Sequence, residues 1–339
     1  IYNINEGGFV IVSASRNVKP ILAYSFENNF NDDGLGHAEY FINNYNRDIE
    51  YAKSLNIETD ESISDLWSDL ESNDIKDRAI AVVDPLIETR WNQDCFYNEY
   101  APYDNGGPCN RAYAGCVACA MSQVMKYWNY PEKGKGSHTY IHHQYGSQSA
   151  DFGATTYKWD EMPNEIWNQN DAIATLMYHC GVSVDMDYGA DGSGAQSHDV
   201  EAAMRMYFGY SSAKYKERSD YSDEEWISLL KSELDESRPM YFSGSGEAGG
   251  HAIVCDGYDD NNYFHFNMGW SGIGDGFYSI DDVNGFSNNE AVVMNIKPLP
   301  INADEHNIIY VTSDGTGYGS SWGNATSELQ YAAAVASDG

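Results

Sequence analysis

Apolar residues recur at helical spacing in four stretches of the chain and gather into short runs in two others. The clearest stripe is Val117, Met121, Val124, Met125 and Trp128, at i, i+4, i+7, i+8 and i+11, which predicts a helix over Cys116–Trp128 with one buried face. Gly115 precedes it and Pro131 follows it. Ile173, Leu176 and Met177 predict a second helix over 172–180. Ser222-x-x-Glu225 is a capping box ahead of Trp226, Leu229, Leu230 and Leu234, with Pro239 beyond. Nearer the start, Tyr40, Phe41, Tyr45, Ile49 and Ala52 share one stripe over 37–56. Strands are predicted at GFVIVSA and ILAYSFE within the first 35 residues. Five more follow Pro239: MYFSG, HAIVCDGY, YFHFNMGW, GFYSI and AVVMNI, separated by Gly-rich turns. Residues 57–78 are acidic and weakly patterned, which predicts a linker. Near Ile80 the character changes to an extended VVDPLIETRWNQ, and a Gly- and Asn-rich region follows. A helical half followed by an antiparallel β half is the α+β pattern.

The chain has 339 residues, enough for two or three domains. Acidic residues number 52 against 19 basic, a net charge of −33, which argues against nucleic acid and anionic membrane surfaces as partners. The 27 Tyr and 8 Trp supply material for packed cores, which disordered chains lack. No apolar run approaches the ~20 residues of a membrane helix. Ile1 opens inside a strand-like pattern and SELQYAAAVASDG stops inside a helical one. The expectation is therefore a fragment of a longer precursor.

Six cysteines are present. Cys95 and Cys109 flank FYNEYAPYDNGGP, a loop rich in turn formers that a disulfide could close. Cys116 and Cys119 form a C-x-x-C, open to three readings: a redox pair, half of a zinc site, or one working thiol beside a core residue. Zinc wants a second ligand pair, and Cys180 and Cys255 are single and far apart. A redox pair wants a βαβ setting, and a Gly-rich coil precedes this one. Cys116 at a helix N-terminus meets unpaired N–H groups and the positive end of the dipole, which lower a thiol pKa. Cys119, one turn on, reads as a small core residue.

Among nine histidines, His37 and His306 lie outside the middle of the chain. His138, His142 and His143 fall in a polar stretch read as a loop, and no further ligand has matching spacing to make His142-His143 a metal site. His179 lies on a helix, and His198 caps or starts one. His251 differs. It opens an apolar strand after Gly249 and Gly250, which allow close approach of backbone and substrate. It also follows Cys116 at the ~130–150-residue separation of papain-type nucleophile and base. Further on, Asn267 offers an oxygen that can orient an imidazolium. Trp270 can shield that bond, and the Gln93 amide can donate to an oxyanion beside the Cys116 N–H. The ordered set Gln, Cys, His, Asn is more specific than any member of it.

Those strings resemble a known family. WNQ at 91–93, GCVACAMSQVMKYWNYP at 115–131, GVSVDMDYG at 181–189, GGHAIVCDGYD at 249–259 and HFNMGWSGIGDGFY at 265–278 are similar to streptopain-like and interpain-like cysteine peptidases of the papain-like clan. The resemblance covers roughly 80–298. It implies a papain-like two-subdomain fold and a secreted or cell-surface bacterial cysteine endopeptidase made as a zymogen. It matches Cys116 to the nucleophile, His251 to the base, Asn267 to the orienting residue, Gln93 to the oxyanion donor and Trp270 to the second Trp of an Asn-Trp-Gly-Trp. Met268 departs from the first Trp of that string, and Ser243 stands where the family has Gln. Gly194, Ala195 and Gln196 align with a loop beside the substrate.

The resemblance also divides the chain. It implies an inhibitory propeptide over 1–79, folded as a small α/β domain in the cleft, a peptidase over 80–298, and over 299–339 a linker with the start of a possible right-handed β-helix. Protein substrates and the chain's own propeptide are the partners implied, with no cofactor and no metal. The rival readings are an adhesion or binding module on a peptidase-like scaffold, and an amide-transfer enzyme running on the same triad.

Overall fold

A computed structural model describes residues 1–4, 7–30, 38–54, 61–72, 81–246, 249–280 and 290–298. Beyond these it describes residues 304, 306, 308–312, 315, 317–326, 329 and 332. Two compact units make up the chain: residues 1–90 with 216–294, and residues 91–215 with 295–339.

The first unit opens with β1 (Tyr2–Asn3), β2 (Phe9–Val12), β3 (Ile21–Ser25), α1 (Ala38–Ser54), α2 (Glu61–Ser72) and β4 (Ala81–Val83). The second unit holds α3 (Cys116–Trp128), β5 (Ser137–His142), β6 (Gly146–Asp151), α4 (Asp171–Ser183) and α5 (Asp199–Met206). The chain returns through β7 (Lys214–Glu217) to α6 (Asp223–Leu234), β8 (Met240–Gly246), β9 (Gly249–Asp259), β10 (Tyr263–Asn267), β11 (Gly276–Ser279) and β12 (Ala291–Met294). The architecture is α+β, with six α-helices and a large antiparallel sheet among the described residues.

The sheet of the first unit runs β1-β2-β3-β11-β10-β9-β8-β12, with β4 also paired to β9. Residues separated by most of the sequence become neighbours here. Tyr24 lies opposite Phe277, and Ala23 opposite Tyr278. The Tyr24 and Phe277 rings stack at 5.1 Å. One core serves the whole unit: Phe9, Leu22 and Ala23 cluster with Trp226, Leu230, Phe242, Phe264, Phe266 and Tyr278. From α1, Tyr45 and Ile49 pack onto it. The Tyr45 hydroxyl lies 2.8 Å from the Leu22 carbonyl and 2.9 Å from that of Ser279. The side chains of Tyr40, Phe41 and Ala52 lie outside the described residues.

The opening strands join the unit's main sheet, and two expectations elsewhere need correction. A two-stranded hairpin is marginal alone, and β2–β3 instead extends an antiparallel sheet through β11. The acidic stretch after residue 57 is not all linker, because α2 occupies Glu61–Ser72. Ile63, Trp67 and Leu70 recur at i, i+4 and i+7 on its half-buried face, and the Trp67 indole donates to the Val18 carbonyl at 2.9 Å. Finally, His138 and His142 lie on β5 of a hairpin rather than in a loop.

In the second unit α3 packs against α4, and α4 against the β5–β6 hairpin. Trp91, Phe152, Trp159, Met177 and Phe208 are buried there. Asn170 caps α4, accepting from the Ile173 N–H. Cys95 and Cys109 are joined as a disulfide, with Cα atoms 5.4 Å apart. In the C-terminal stretch, Val311 and Thr326 form a parallel bridge, and Tyr310 meets Trp322 edge-on at 5.0 Å.

Candidate active site

Cys116 is the first residue of α3, as its hydrophobic stripe predicts, and is buried. Gly115 caps the helix at φ 94° and ψ 143°, a conformation open to glycine. A Cβ there would stand 2.8 Å from both Sδ and Cε of Met186. Gly115 therefore sets the angle at which Cys116 enters the helix. Two residues before Cys116, the Ala114 N–H donates to the Gln93 carbonyl at 2.8 Å. That bond lays the buried Gln93 segment along the approach to α3. The loop holding Gly194, Ala195 and Gln196 is tied to the same place. The Ser193 hydroxyl donates to the Tyr113 carbonyl at 2.7 Å, and Asp187 and Gly194 exchange backbone bonds of 2.8 and 3.2 Å. One unit thus brings together Cys116, Gln93 and the 192–196 loop. Cys119 is buried among the α3 core residues, as expected of a packing residue.

The other unit brings together His251, Asn267 and Trp270. His251 lies opposite Gly244 near the start of β9, just after Gly249 and Gly250. Its Nε2 is screened from solvent. Burial lowers the ring pKa to about 3, against a hydrogen bond with the Met268 backbone that favours the charged form. His251 is therefore a neutral imidazole at ordinary pH. Asn267, at the end of β10, is buried. Its amide donates to the Thr89 carbonyl at 2.7 Å, and its oxygen accepts from the Gly269 N–H at 3.1 Å. Trp270 packs against the unit's core. Ser243 lies opposite Ala252, buried, with its hydroxyl 3.4 Å from the Ala291 carbonyl.

Several residues of this unit were not singled out by the sequence reading. Asp275, in the quoted string GIGDGFY, is 1% exposed and accepts from the Met268 N–H at 2.7 Å. Burial pushes its pKa up to about 7. His265 is held between Asp256 at 2.6 Å and Glu27 at 3.0 Å. Burial opposes its charge, but the two carboxylates win and raise its pKa to about 10. A His amid acidic residues is too common a pattern to flag from sequence; only the β3–β11 pairing brings Glu27 there.

His142, His143 and Asp187 gather closely enough to suggest a cation site. The hydrogen bonds argue otherwise. His142 Nδ1 accepts from the N–H groups of Gln144 and Tyr145 at 3.1 and 3.2 Å, so the proton sits on Nε2, which donates to Asp187 at 2.9 Å. The nitrogen facing the carboxylate is a donor, not a free ligand.

Comparison with known proteins gives the family. Residues 91–278 match the Peptidase C10 family, and residues 1–49 match the Spi protease inhibitor family. Streptopain of Streptococcus pyogenes is 33% identical over 332 residues, covering 88% of this chain and 80% of that protein. The thiol protease/hemagglutinin PrtT of Porphyromonas gingivalis is 31% identical, over 88% of this chain and 37% of its own length. Among solved structures, a mutant fragment of Prevotella intermedia prointerpain A aligns with a TM-score of 0.73 at 32% identity, covering 88% of this chain and 95% of that one. Active interpain A aligns at 0.58 and 38% identity, covering 63% and 94%. With a cysteine at a helix start, His and Asn on neighbouring strands and these matches, the chain belongs to the Peptidase C10 family and is a cysteine peptidase.

Proposed function

We propose that this chain is the zymogen of a secreted bacterial endopeptidase in which Cys116 is the nucleophile, His251 the general base, Asn267 the orienting residue and Gln93 an oxyanion donor. The carrying observation is the start of α3. A thiol stands at its first position, behind a glycine of positive φ, with the Gln93 segment bonded alongside at Ala114. In the working enzyme His251 takes the Cys116 proton. The thiolate attacks the scissile carbonyl, and the Cys116 N–H and the Gln93 amide hold the tetrahedral oxyanion. His251 gives its proton to the leaving amine. Water, deprotonated by His251, then attacks the thioester and frees the carboxylate and the thiol. Trp270 shields the His251–Asn267 bond. Gly194, Ala195 and Gln196 line the nucleophile's side of the substrate, and Ser243, Gly249 and Gly250 the base's side.

Residues 1–79 are read as the inhibitory propeptide, 80–298 as the peptidase, and 299–339 as a linker with the opening of a right-handed β-helix. The match of 1–49 to an inhibitor family supports the first, and the parallel Val311–Thr326 bridge is in keeping with the last. A neutral His251 cannot hold a thiolate by ion pairing, which supports the zymogen reading. Secretion belongs to the same reading; separately, among the described residues no helix is long and apolar enough to cross a membrane.

Casein and iodoacetamide test the reading. Casein cleavage by the processed chain, abolished by alkylation and by Cys116→Ala but not by Cys119→Ala, is the expected result. Activity that persists in Cys116→Ala overturns the assignment. An inert protein supports an adhesion scaffold, and crosslinked casein without fragments supports amide transfer.

A further inference from the structure

We infer that Asp275 is a positioning residue for the proposed catalytic pair, acting through the Met268 backbone; this rests on the assignment of His251 and Asn267 above. The β10–β11 connection is a tight loop. Gly269, Ser271, Gly272 and Gly274 all have positive φ, and the Ile273 N–H donates to the Trp270 carbonyl at 2.9 Å. Such a loop has many alternative conformations, and something must select one. Met268 is fixed twice. Its side chain lies fully inside the core cluster, and its N–H donates to Asp275 at 2.7 Å. The same residue's backbone meets the His251 ring. On either side of it, the Gly269 N–H donates to the Asn267 oxygen. One carboxylate therefore anchors the residue whose backbone adjoins both the base and its orienting residue.

A loop could be closed by any short polar side chain, and burying a carboxylate for that purpose alone is costly. A carboxylate is the stronger acceptor, which suits a residue whose backbone must also hold an imidazole steady. Asp275 faces a charged neighbourhood: His265 on β10 favours its ionised form, while Glu27 beyond β3 and Asp256 on β9 oppose it. Burial is the larger influence and leaves Asp275 titrating near neutrality, so its grip on Met268 should strengthen as pH rises.

The test uses the full chain, allowed to process itself and counted by active-site titration. Asp275→Asn keeps an acceptor and loses the charge. It should lower kcat by about threefold at pH 8 and move the acid limb of kcat/KM to lower pH by at least about half a unit. Asp275→Ala should lower kcat by about 10- to 100-fold with KM within about twofold, so that Asn partly rescues what Ala loses. A pH profile of Asp275→Asn superposing on wild type overturns the inference, and decides alone if Asp275→Ala does not fold. A folded Asp275→Ala with wild-type kcat, or with the loss confined to KM, also overturns it. His251→Ala is run alongside. If that variant keeps activity, the site assignment itself has failed. If it is inactive while both Asp275 variants match wild type, only the present inference has.

Discussion

Glu27→Gln should loosen the first unit in a pH-dependent way. Glu27 Oε1 lies 3.0 Å from His265 Nε2, and Oε2 lies 3.6 Å from the Arg90 guanidinium. His265 is buried, and its other nitrogen is taken by the buried Asp256. A hydrogen bond between charged groups contributes about 1.5–3 kcal/mol. The Glu27 side chain is 31% exposed, so solvent screens part of this and about 1–2 kcal/mol is the working figure. Gln keeps an acceptor and loses the charge, so the substitution should cost about 1 kcal/mol, roughly fivefold in the folded-to-unfolded ratio. The sign with pH follows from both partners. The raised pKa of His265 adds stability that is full below its ordinary value of 6.5 and fades as pH climbs toward about 10. The lowered pKa of Glu27, caused first by its bond with His265, adds stability above 4.5 that fades as pH falls through the lowered value. The gap between wild type and Glu27→Gln should thus be widest near pH 6 and shrink by pH 9.5. Urea unfolding of both chains in a Cys116→Ala background, followed by tryptophan fluorescence, measures it. A gap equal at the two pH values, or no gap at either, refutes the electrostatic account.

Three further outcomes are expected. Gly115→Ala should cost about 2–4 kcal/mol, from a positive φ and a Cβ pressed on Met186, and lower the urea midpoint. Replacing Cys95 and Cys109 together should cost about 3 kcal/mol, as the bridge closes a loop of sequence separation 14, and the non-reduced digest of the native chain should show the linked peptides. Alkylation of Cys116 should begin at higher pH in the uncut chain than after processing, because a His251 that stays neutral above about pH 3 gives the thiolate no cationic partner; identical profiles with full activity before cleavage count against an inhibitory propeptide.

Where local physics decides structure, the sequence was legible. α3 spans Cys116–Trp128 because its apolar spacing, Gly115 and Pro131 agree, and the Ser222–Glu225 capping box stands where α6 begins. α2 was missed because its half-buried stripe of Ile63, Trp67 and Leu70 is diluted by acidic neighbours. His142 on a hairpin was missed because Ser137–His142 alternates weakly and its partner Gly146–Asp151 is mostly polar. The site residues came from types and order that chemistry constrains. The roles of Glu27, His265, Asp256 and Asp275 were hidden because each depends on strand pairing or loop closure that no local pattern encodes.

The pairing of β3 with β11 bears on how a chain lacking its opening segment would behave. Losing β2 and β3 strips the hydrogen-bonding partner from the strand that carries Phe277 and Tyr278. What remains is an aromatic strand with one row of bare N–H and C=O groups, a template for another chain. The short length of Gly276–Ser279 limits how much a stranger can zip onto it. While the opening segment is present, β3 covers that edge. A peptidase refolded without it should clump at concentrations where the uncut chain stays dispersed.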